Sequence, residues 1–183
     1  MKKGKIIIIS GPSGVGKGTV IEKLRKEDST LGFSVSATTR APREGEVNGV
    51  NYHFVSREQF EEMINNGEMI EYTCYNGNFY GTPKSSVEDV ISRGFNIILD
   101  IEVEGAANMK KEFPQATSIF ILPPDIETLY DRLKGRGTED EETINRRIAR
   151  AREELEFQHN YDFRVINDTV DEAVAEIRNI ISE

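Results

Sequence analysis

The chain has 183 residues, which is enough for one substantial hydrophobic core and favours a single domain with embellishments. Its 32 acidic residues outnumber 23 lysines and arginines, and a net charge of -9 would repel nucleic acid rather than bind it. The single cysteine, Cys74, excludes an intrachain disulfide framework, and the apolar run at 6–9 is too short for a membrane span or a signal-peptide core, so we expect a cytoplasmic protein without a membrane partner.

The few soft metal ligands make a zinc site implausible. His53, His159 and Cys74 are too far apart in sequence for a zinc pattern. Cys74 lies in a strand-like run of tyrosine and threonine, where we expect a packed thiol rather than a nucleophile. Any metal would therefore be held by oxygen.

Short apolar runs predict the strands of a parallel sheet. They lie at 6–9, 95–99, 118–122 and 163–166, with a weaker fifth candidate at 33–35. At least the first three are nearly continuous, which is typical of strands covered on both faces, and segments with helical spacing lie between them. We predict an α/β fold with a parallel five-stranded sheet and helices on both faces. Right-handed crossovers would bring the strand carboxyl ends to one edge, where such sheets bind ligands.

The stretch SGPSGVGKGTV follows the first predicted strand and precedes a helix. It matches the phosphate-loop pattern at Gly11, Gly16 and Lys17, but Gly18 replaces the hydroxyl residue that normally ligates magnesium, and Thr19 follows one place late. In this context backbone N–H groups and a helix N-terminus face one anion, so we expect a nucleotide phosphate site. The alternative is a tight glycine turn with a solvated lysine.

Residues 36–83 interrupt the alternation of strands and helices and predict an inserted α+β lobe. Ser56 and Gln59 form a capping-box signature before its one helix. Asn76 and Gly77, between aromatic residues, predict a two-residue hairpin turn.

Asp100 follows the predicted strand at 95–99, at the edge where the phosphate loop also lies. This resembles the placement of a magnesium-binding acid, whereas the alternative is a helix-capping aspartate. Because Mg²⁺ keeps several waters, Asp100 acting through water is our first candidate ligand, and Thr19 is a further one.

A second interruption at 134–142 carries two glycines and six charges without apolar periodicity. This composition is typical of a mobile lid.

Taken together, these motifs closely resemble those of the guanylate kinase family over essentially the whole chain. The stretches that carry the resemblance are SGPSGVGKGT at 10–19, FSVSATTRAPREGEVNGVNYHFV at 33–55, GEMIEY at 67–72, GNFYGT at 77–82, ILDIEVEG at 98–105 and RLKGRGTEDEETINRRI at 132–148. In that family Gly-Lys-Gly-Thr is a familiar active loop ending, so Gly18 is an accepted alternative. The resemblance implies ATP-dependent phosphorylation of GMP, and of dGMP, in purine nucleotide metabolism, with Mg²⁺ as cofactor.

The resemblance also implies a division of labour along the chain. It assigns 1–35 and 84–183 to a core with the ATP site, 36–83 to a GMP-binding lobe and 134–147 to a lid. The implied ATP contacts are Gly11, Pro12, Ser13, Gly14, Val15, Gly16, Lys17, Gly18, Thr19 and Arg132, with Asn167 and Asp168 as adenine contacts. The implied catalytic residues are Lys17, Arg136 and Arg147.

On the acceptor side, the resemblance implies separate contacts for the phosphate and the base of GMP. The phosphate is assigned to Arg40, Arg43, Tyr52 and Tyr80, the base to Ser36, Glu71 and Thr82, and the orientation of the arginines or the ribose side to Glu46 and Asp100. Two alternatives stay open: a kinase for another nucleoside monophosphate, and a scaffold-type binding module without catalysis. The expected partners are ATP and GMP, and the sequence leaves the oligomeric state open.

Overall fold

A computed structural model of the chain describes residues 4–32, 34–75, 77–135 and 140–182. The strands are β1 (Ile6–Ser10), β2 (Leu31–Gly32), β3 (Ala37–Thr38), β4 (His53–Phe54), β5 (Met69–Tyr75), β6 (Asn78–Pro83), β7 (Asn96–Asp100), β8 (Thr117–Leu122) and β9 (Phe163–Ile166). The helices are α1 (Lys17–Glu27), α2 (Arg57–Asn65), α3 (Lys84–Ser92), α4 (Val103–Glu112), α5 (Ile126–Gly135), α6 (Glu141–Leu155) and α7 (Val170–Ser182), with a 3-10 turn at Glu156–Asn160.

The larger sheet has five parallel strands in the order β2-β7-β1-β8-β9, which confirms the predicted α/β fold. All five residues of β1 are buried, as are the central residues of β7 and β8, because these positions are mostly isoleucine, leucine and phenylalanine. Helix α1 buries an apolar stripe formed by Val20, Ile21 and Leu24.

The prediction of a fifth strand at 33–35 is wrong. The strand that pairs with β7 is β2, two residues earlier, with Leu31 beside Asn96 and Gly32 beside Ile97. Ser34 and Val35 belong to no strand, and Phe33 lies outside the described residues. The apolar pattern missed β2 because Gly32 carries no side chain. A Cβ on Gly32 would lie 2.2 Å from Cγ1 of Val90, so the close approach of the backbone replaces side-chain packing.

The smaller sheet has four strands in the order β4-β3-β6-β5. Its core is formed by Ala37, Phe60 and Met69, and the rings of Phe60 and Phe79 stack at 5.3 Å between centroids. Strands β5 and β6 are antiparallel, and Tyr75 pairs with Asn78, which confirms the two-residue hairpin although Asn76 lies outside the described residues.

Two further predictions for this sheet have clear outcomes. The capping box of α2 is confirmed, because the Ser56 hydroxyl accepts from the Gln59 N–H and the Gln59 side chain accepts from the Ser56 N–H. The prediction of a packed Cys74 thiol is wrong, because Cys74 is exposed on β5. This strand lies at the edge of the smaller sheet.

The chain divides into two compact units. The first comprises Met1–Ile6, Thr30–Ile97 and Ala107–Gln115, and it contains the smaller sheet with α2 and α3. The second comprises Ile7–Ser29, Ile98–Ala106 and Ala116–Glu183, and it contains α1, β8, β9 and α5 to α7. Within the described ranges, no helix combines the length and apolarity needed to cross a bilayer.

We expect Gly32→Ala to lower the free energy of unfolding by about 1–3 kcal/mol, because the added methyl group would overlap Val90 and approach Cβ of Phe95 to 3.0 Å. Urea denaturation followed by circular dichroism measures this change. Gly18→Ala is a matched control, since a Cβ there meets no atom within 4 Å. Equal stability of the Gly32→Ala variant and the unmodified chain would contradict the close packing of β2.

Candidate active site

The loop between β1 and α1 turns tightly around an open space. Gly14 and Gly16 adopt positive φ angles of 86° and 91°, a conformation that favours glycine, and Gly16 is the N-cap of α1. A Cβ would lie 2.6 Å from Leu133 at Gly14 and 2.7 Å from Nδ2 of Asn167 at Gly16. At these two positions the backbone lies close to neighbouring side chains, and the positive φ angles disfavour any residue other than glycine.

The space enclosed by this loop is a cleft of about 320 Å³. It is lined by the loop residues Gly11, Pro12, Ser13, Gly14, Val15, Gly16, Lys17, Gly18 and Thr19, together with Glu102, Arg150 and Glu154. Because the cleft lies at the N-terminus of α1, the helix dipole and free N–H groups favour an anion there. The structure therefore brings all nine predicted loop contacts to one cavity.

Lys17 is held by acids at the carboxyl end of β7. Its Nζ lies 2.5 Å from Oδ1 of Asp100 and 3.6 Å from Oε1 of Glu102, and only 13% of its side chain is exposed. Asp100 is the last residue of β7, and two residues separate it from the start of α4. The structure thus brings together the predicted lysine and the predicted magnesium-binding acid.

Arg132 and Asn167 support the loop from its other side. Nη2 of Arg132 donates to the carbonyl oxygens of Asn167 and Asp168 at 2.8 and 3.0 Å, and its Nη1 donates to the carbonyl of Val15 at 3.4 Å. Nδ2 of Asn167 donates to the same Val15 carbonyl at 2.7 Å. A second cleft, of about 290 Å³, lies beside these groups and the loop.

Helix α6 is rich in arginine, and its predicted catalytic arginine contacts the loop. Arg147 donates from Nε and Nη2 to the Ser13 hydroxyl at 3.1 and 2.8 Å. Arg146 instead donates to Thr143 on its own helix. The other predicted catalytic arginine, Arg136, lies outside the described residues. The segment predicted as a lid is partly regular, because α5 continues to Gly135 and α6 begins at Glu141.

The predicted phosphate-binding arginine Arg40 is paired with Glu46. Its two terminal nitrogens donate to the two carboxylate oxygens at 2.9 and 2.8 Å, and the backbone N–H of Arg43 donates to the same carboxylate at 2.7 Å. These bonds, that from Arg40 first, lower the pKa of Glu46 from its ordinary value of 4.5 to about 2. Glu46 therefore stays ionised and holds the guanidinium in place.

The two predicted tyrosines lie beside this pair. The Arg40 guanidinium lies 5.5 Å from the centroid of the Tyr52 ring, and the Tyr52 and Tyr80 rings meet edge to face at 6.1 Å. The Arg43 side chain is exposed. The structure thus brings Arg40, Glu46, Tyr52 and Tyr80 together, and it leaves the Arg43 guanidinium at the surface.

The predicted base contacts lie on neighbouring strands of the smaller sheet. Glu71 on β5 is directly opposite Thr82 on β6, and the Thr82 hydroxyl donates to Oε1 of Glu71 at 2.7 Å. Thr82 is buried, at 6% exposure. Ser36 immediately precedes β3, which pairs with β6, and its carbonyl accepts from the His53 N–H.

Sequence reasoning missed two threonines next to Arg40, of which Thr38 binds its backbone N–H. The buried Thr38 hydroxyl donates to the Phe79 carbonyl at 2.9 Å and accepts from the Arg40 N–H at 3.2 Å. The Thr39 hydroxyl accepts from the Phe79 N–H at 2.9 Å. Thr38 and Thr39 directly precede Arg40 in the sequence. Their hydrogen-bond partner, Phe79, becomes a neighbour only through the pairing of β3 with β6.

Sequence reasoning also missed Glu154 and Arg150. Both residues line the cleft of the phosphate loop. The available signal was their four-residue spacing on α6, which predicts a helix ion pair but not a contact with the loop.

Comparison with known proteins agrees with this geometry. A sequence model of the family described as "Guanylate kinase" matches residues 3–183. The chain is 52% identical over 181 residues to the guanylate kinase of Halalkalibacterium halodurans, covering 99% of this chain and 89% of the relative. It is 48% identical over 182 residues to that of Clostridioides difficile, covering 100% of this chain and 89% of the relative.

The fold gives the same result. The crystal structure of guanylate kinase from Anaplasma phagocytophilum matches with a TM-score of 0.72 and 35% identity, covering 99% of this chain and 86% of the other. The resemblance inferred from the motifs is confirmed, and the chain belongs to the guanylate kinase family.

Proposed function

We propose that the chain transfers the γ-phosphoryl group of ATP to a phosphate oxygen of GMP, which yields ADP and GDP. Membership of the guanylate kinase family along nearly the whole chain carries this conclusion and makes the chain a nucleoside monophosphate kinase, an ATP:GMP phosphotransferase. The phosphate loop around Lys17 and the paired Arg40 and Glu46 provide chemistry suited to the two substrates.

On the donor side, we assign the ATP phosphates to the loop Gly11–Thr19. Its backbone N–H groups would bind the phosphates, and Lys17 would exchange Asp100 for the β and γ phosphates. Arg132 and Asn167, with Asp168, border the second cleft, which supports their assignment to adenine. The residues assigned to the phosphates and those assigned to adenine all lie at or beside the same loop.

On the acceptor side, we assign the GMP phosphate to Arg40, Arg43, Tyr52 and Tyr80. A forked guanidinium offers charge-assisted donors to a dianionic phosphate, and tyrosine hydroxyls add neutral donors that set its orientation. Since Glu46 holds Arg40 through two bonds, the arginine would lose little side-chain entropy on binding GMP.

The base assignment follows from the donor pattern of guanine. Guanine presents N1–H and N2–H₂ side by side, so the Glu71 carboxylate could accept from both, whereas adenine has an acceptor at N1. The Thr82 hydroxyl already donates to this carboxylate and orients it, and Ser36 is the candidate donor for O6. The same contacts are available in dGMP, which we propose as a second substrate.

We propose an in-line transfer achieved by positioning and charge neutralisation. The attacking phosphate oxygen is already ionised at neutral pH, so no general base is needed. Arg147, with Arg136 of the 134–147 segment, would neutralise charge on the transferring group. The contact of Arg147 with Ser13 supports this role, because it already holds the guanidinium at the loop. Closure of that segment as a lid would exclude water from ATP.

The donor set fits magnesium held mainly by the nucleotide and by water. Asp100 ends β7 with 45% of its side chain exposed, so its carboxylate can accept from a metal-bound water. In the part of the chain that the structure describes, no three His, Cys, Asp or Glu side chains form a metal cluster. Mg²⁺ would neutralise phosphate charge, and we propose Asp100 through water, with Thr19, as the groups that hold it. We also propose action in the cytoplasm, where ATP and nucleoside monophosphates are held.

We expect Lys17→Ala to reduce kcat/KM for GDP formation at least about 100-fold, because a charge that stabilises the transferring phosphoryl group is lost. A coupled assay of GDP production measures this. Lys26→Ala is the control, since Lys26 is an exposed lysine on the same helix. Undiminished GDP formation by the Lys17→Ala variant would refute the catalytic role of Lys17, whereas a lack of GDP formation by the unmodified chain would favour a binding module.

We expect Glu71→Gln to lower the preference for GMP over AMP by about 10²–10³-fold, because the amide nitrogen would face the guanine donors. Turnover with GMP, AMP, dTMP and UMP at saturating ATP gives the specificity ratio. Glu68→Gln, an exposed acid just before β5, should leave the ratio unchanged. If the unmodified chain preferred AMP, the base assignment would be wrong.

Glu46 should make a contribution to stability that disappears in acid. Its pKa is lower in the folded chain, about 2, than its ordinary value of 4.5, so the contribution is complete above about pH 4.5 and is lost as the pH falls toward 2. We therefore expect the difference in urea midpoint between the unmodified chain and Glu46→Gln to shrink across this range. Glu44→Gln, an exposed neighbour, is the control. A constant difference would contradict the Arg40 pairing.

A further inference from the structure

Glu154 is a buried acid at the phosphate loop. It lies in the last turn of α6 and is only 8% exposed. Its Oε2 accepts from the backbone N–H of Ser13 at 3.1 Å, and its Oε1 accepts from Nε of Arg150 at 2.8 Å. A buried carboxylate is costly unless both oxygens are paired, and here each oxygen has a donor.

Ser13 is held at two points by this helix. Its backbone N–H binds Glu154, and its hydroxyl accepts from Nε and Nη2 of Arg147. Arg147 and Glu154 are seven residues apart, which places them on one face of α6, two turns apart. A single residue of the loop therefore connects a buried acid to the arginine assigned to the transferring phosphoryl group.

We infer that Glu154 is a positioning residue for the phosphoryl transfer, because through the Ser13 N–H it sets the path of the phosphate loop and keeps the Ser13 hydroxyl in place for Arg147. It does not touch substrate in this role. The inference rests on the proposed function, in which this loop binds ATP. It goes beyond that function, because Glu154, which lies outside the loop motif, would fix the conformation of the loop.

The opposite interpretation is that the carboxylate competes with an ATP phosphate for the Ser13 N–H. Two observations indicate that Glu154 supports the loop rather than competes with a phosphate. The carboxylate is buried and bonded at both oxygens, and two guanidinium groups, of Arg147 and Arg150, accompany the one carboxylate. Since the positive charges outnumber the negative one, this cluster does not repel a phosphate.

The test compares Glu154→Ala and Glu154→Gln with Glu153→Ala, which removes an adjacent exposed acid of the same helix. We expect Glu154→Ala to raise the KM for ATP about tenfold and to change the KM for GMP less than about twofold, because the loop loses one buried bond while the acceptor residues keep theirs. Glu154→Gln should recover part of the loss, since its amide oxygen still accepts from Ser13. Glu153→Ala should behave like the unmodified chain.

Amide hydrogen exchange of nucleotide-free protein provides a readout that does not depend on turnover. We expect the Ser13 amide to exchange faster in Glu154→Ala than in the Glu153→Ala control, with the β1 amides unchanged. If Glu154→Ala does not fold, the same two measurements on Glu154→Gln decide the question.

The possible failures can be told apart. An unmodified chain that makes no GDP would refute the proposed function itself. An active chain whose folded Glu154 variants keep the ATP KM and the Ser13 exchange rate of the control would overturn only the positioning role. A lower KM for ATP in the variants would also overturn it, since the carboxylate would then be a competitor of the phosphate.

Discussion

The candidate site depends on one constraint. Backbone N–H groups can point at one anion only if the chain makes a tight turn, and such a turn needs glycine at the positions with positive φ. Gly14 and Gly16 satisfy it with positive φ angles, which residues with a side chain rarely adopt. A loop built this way contributes little packing of its own. It must therefore be held by other elements, and α5, α6 and the residues after β9 each supply part of that support.

The supports act on the backbone as much as on side chains. The Val15 carbonyl accepts from Arg132 and Asn167, and the Ser13 N–H donates to Glu154. Each bond uses a peptide group that the tight turn leaves without a helix or strand partner. Polar groups from distant positions in the chain therefore determine the shape of the loop. The loop starts where β1 ends, and β1 is fixed in the core by its pairing with β8.

Much of this could be predicted from the sequence, because some signals are local. The isoleucine run of β1, the glycine and lysine spacing after it, the capping box at Ser56 and the hairpin before Asn78 all follow from short patterns. The weaker strand β2 could not be predicted, because backbone contact with Val90 replaces an apolar side chain. Glu154 and Thr38 could not be predicted either, because their partners become neighbours only in the folded chain. The roles of Arg40 and Glu71 came from the family resemblance, since a single arginine or glutamate in an acidic chain carries no such information.

The ion pair between Lys17 and Asp100 bears on product release as well as on nucleotide binding in the proposed reaction. In the structure its ammonium group is already paired with Asp100 and lies near Glu102. If Lys17 binds the ATP phosphates as proposed, arrival of the nucleotide would exchange one ion pair for another, and the net gain would be the difference between the two. Competition from Asp100 would weaken the hold of Lys17 on the product as well as on ATP, which would favour product release. The acids at the end of β7 keep a partner ready for the lysine when the product leaves.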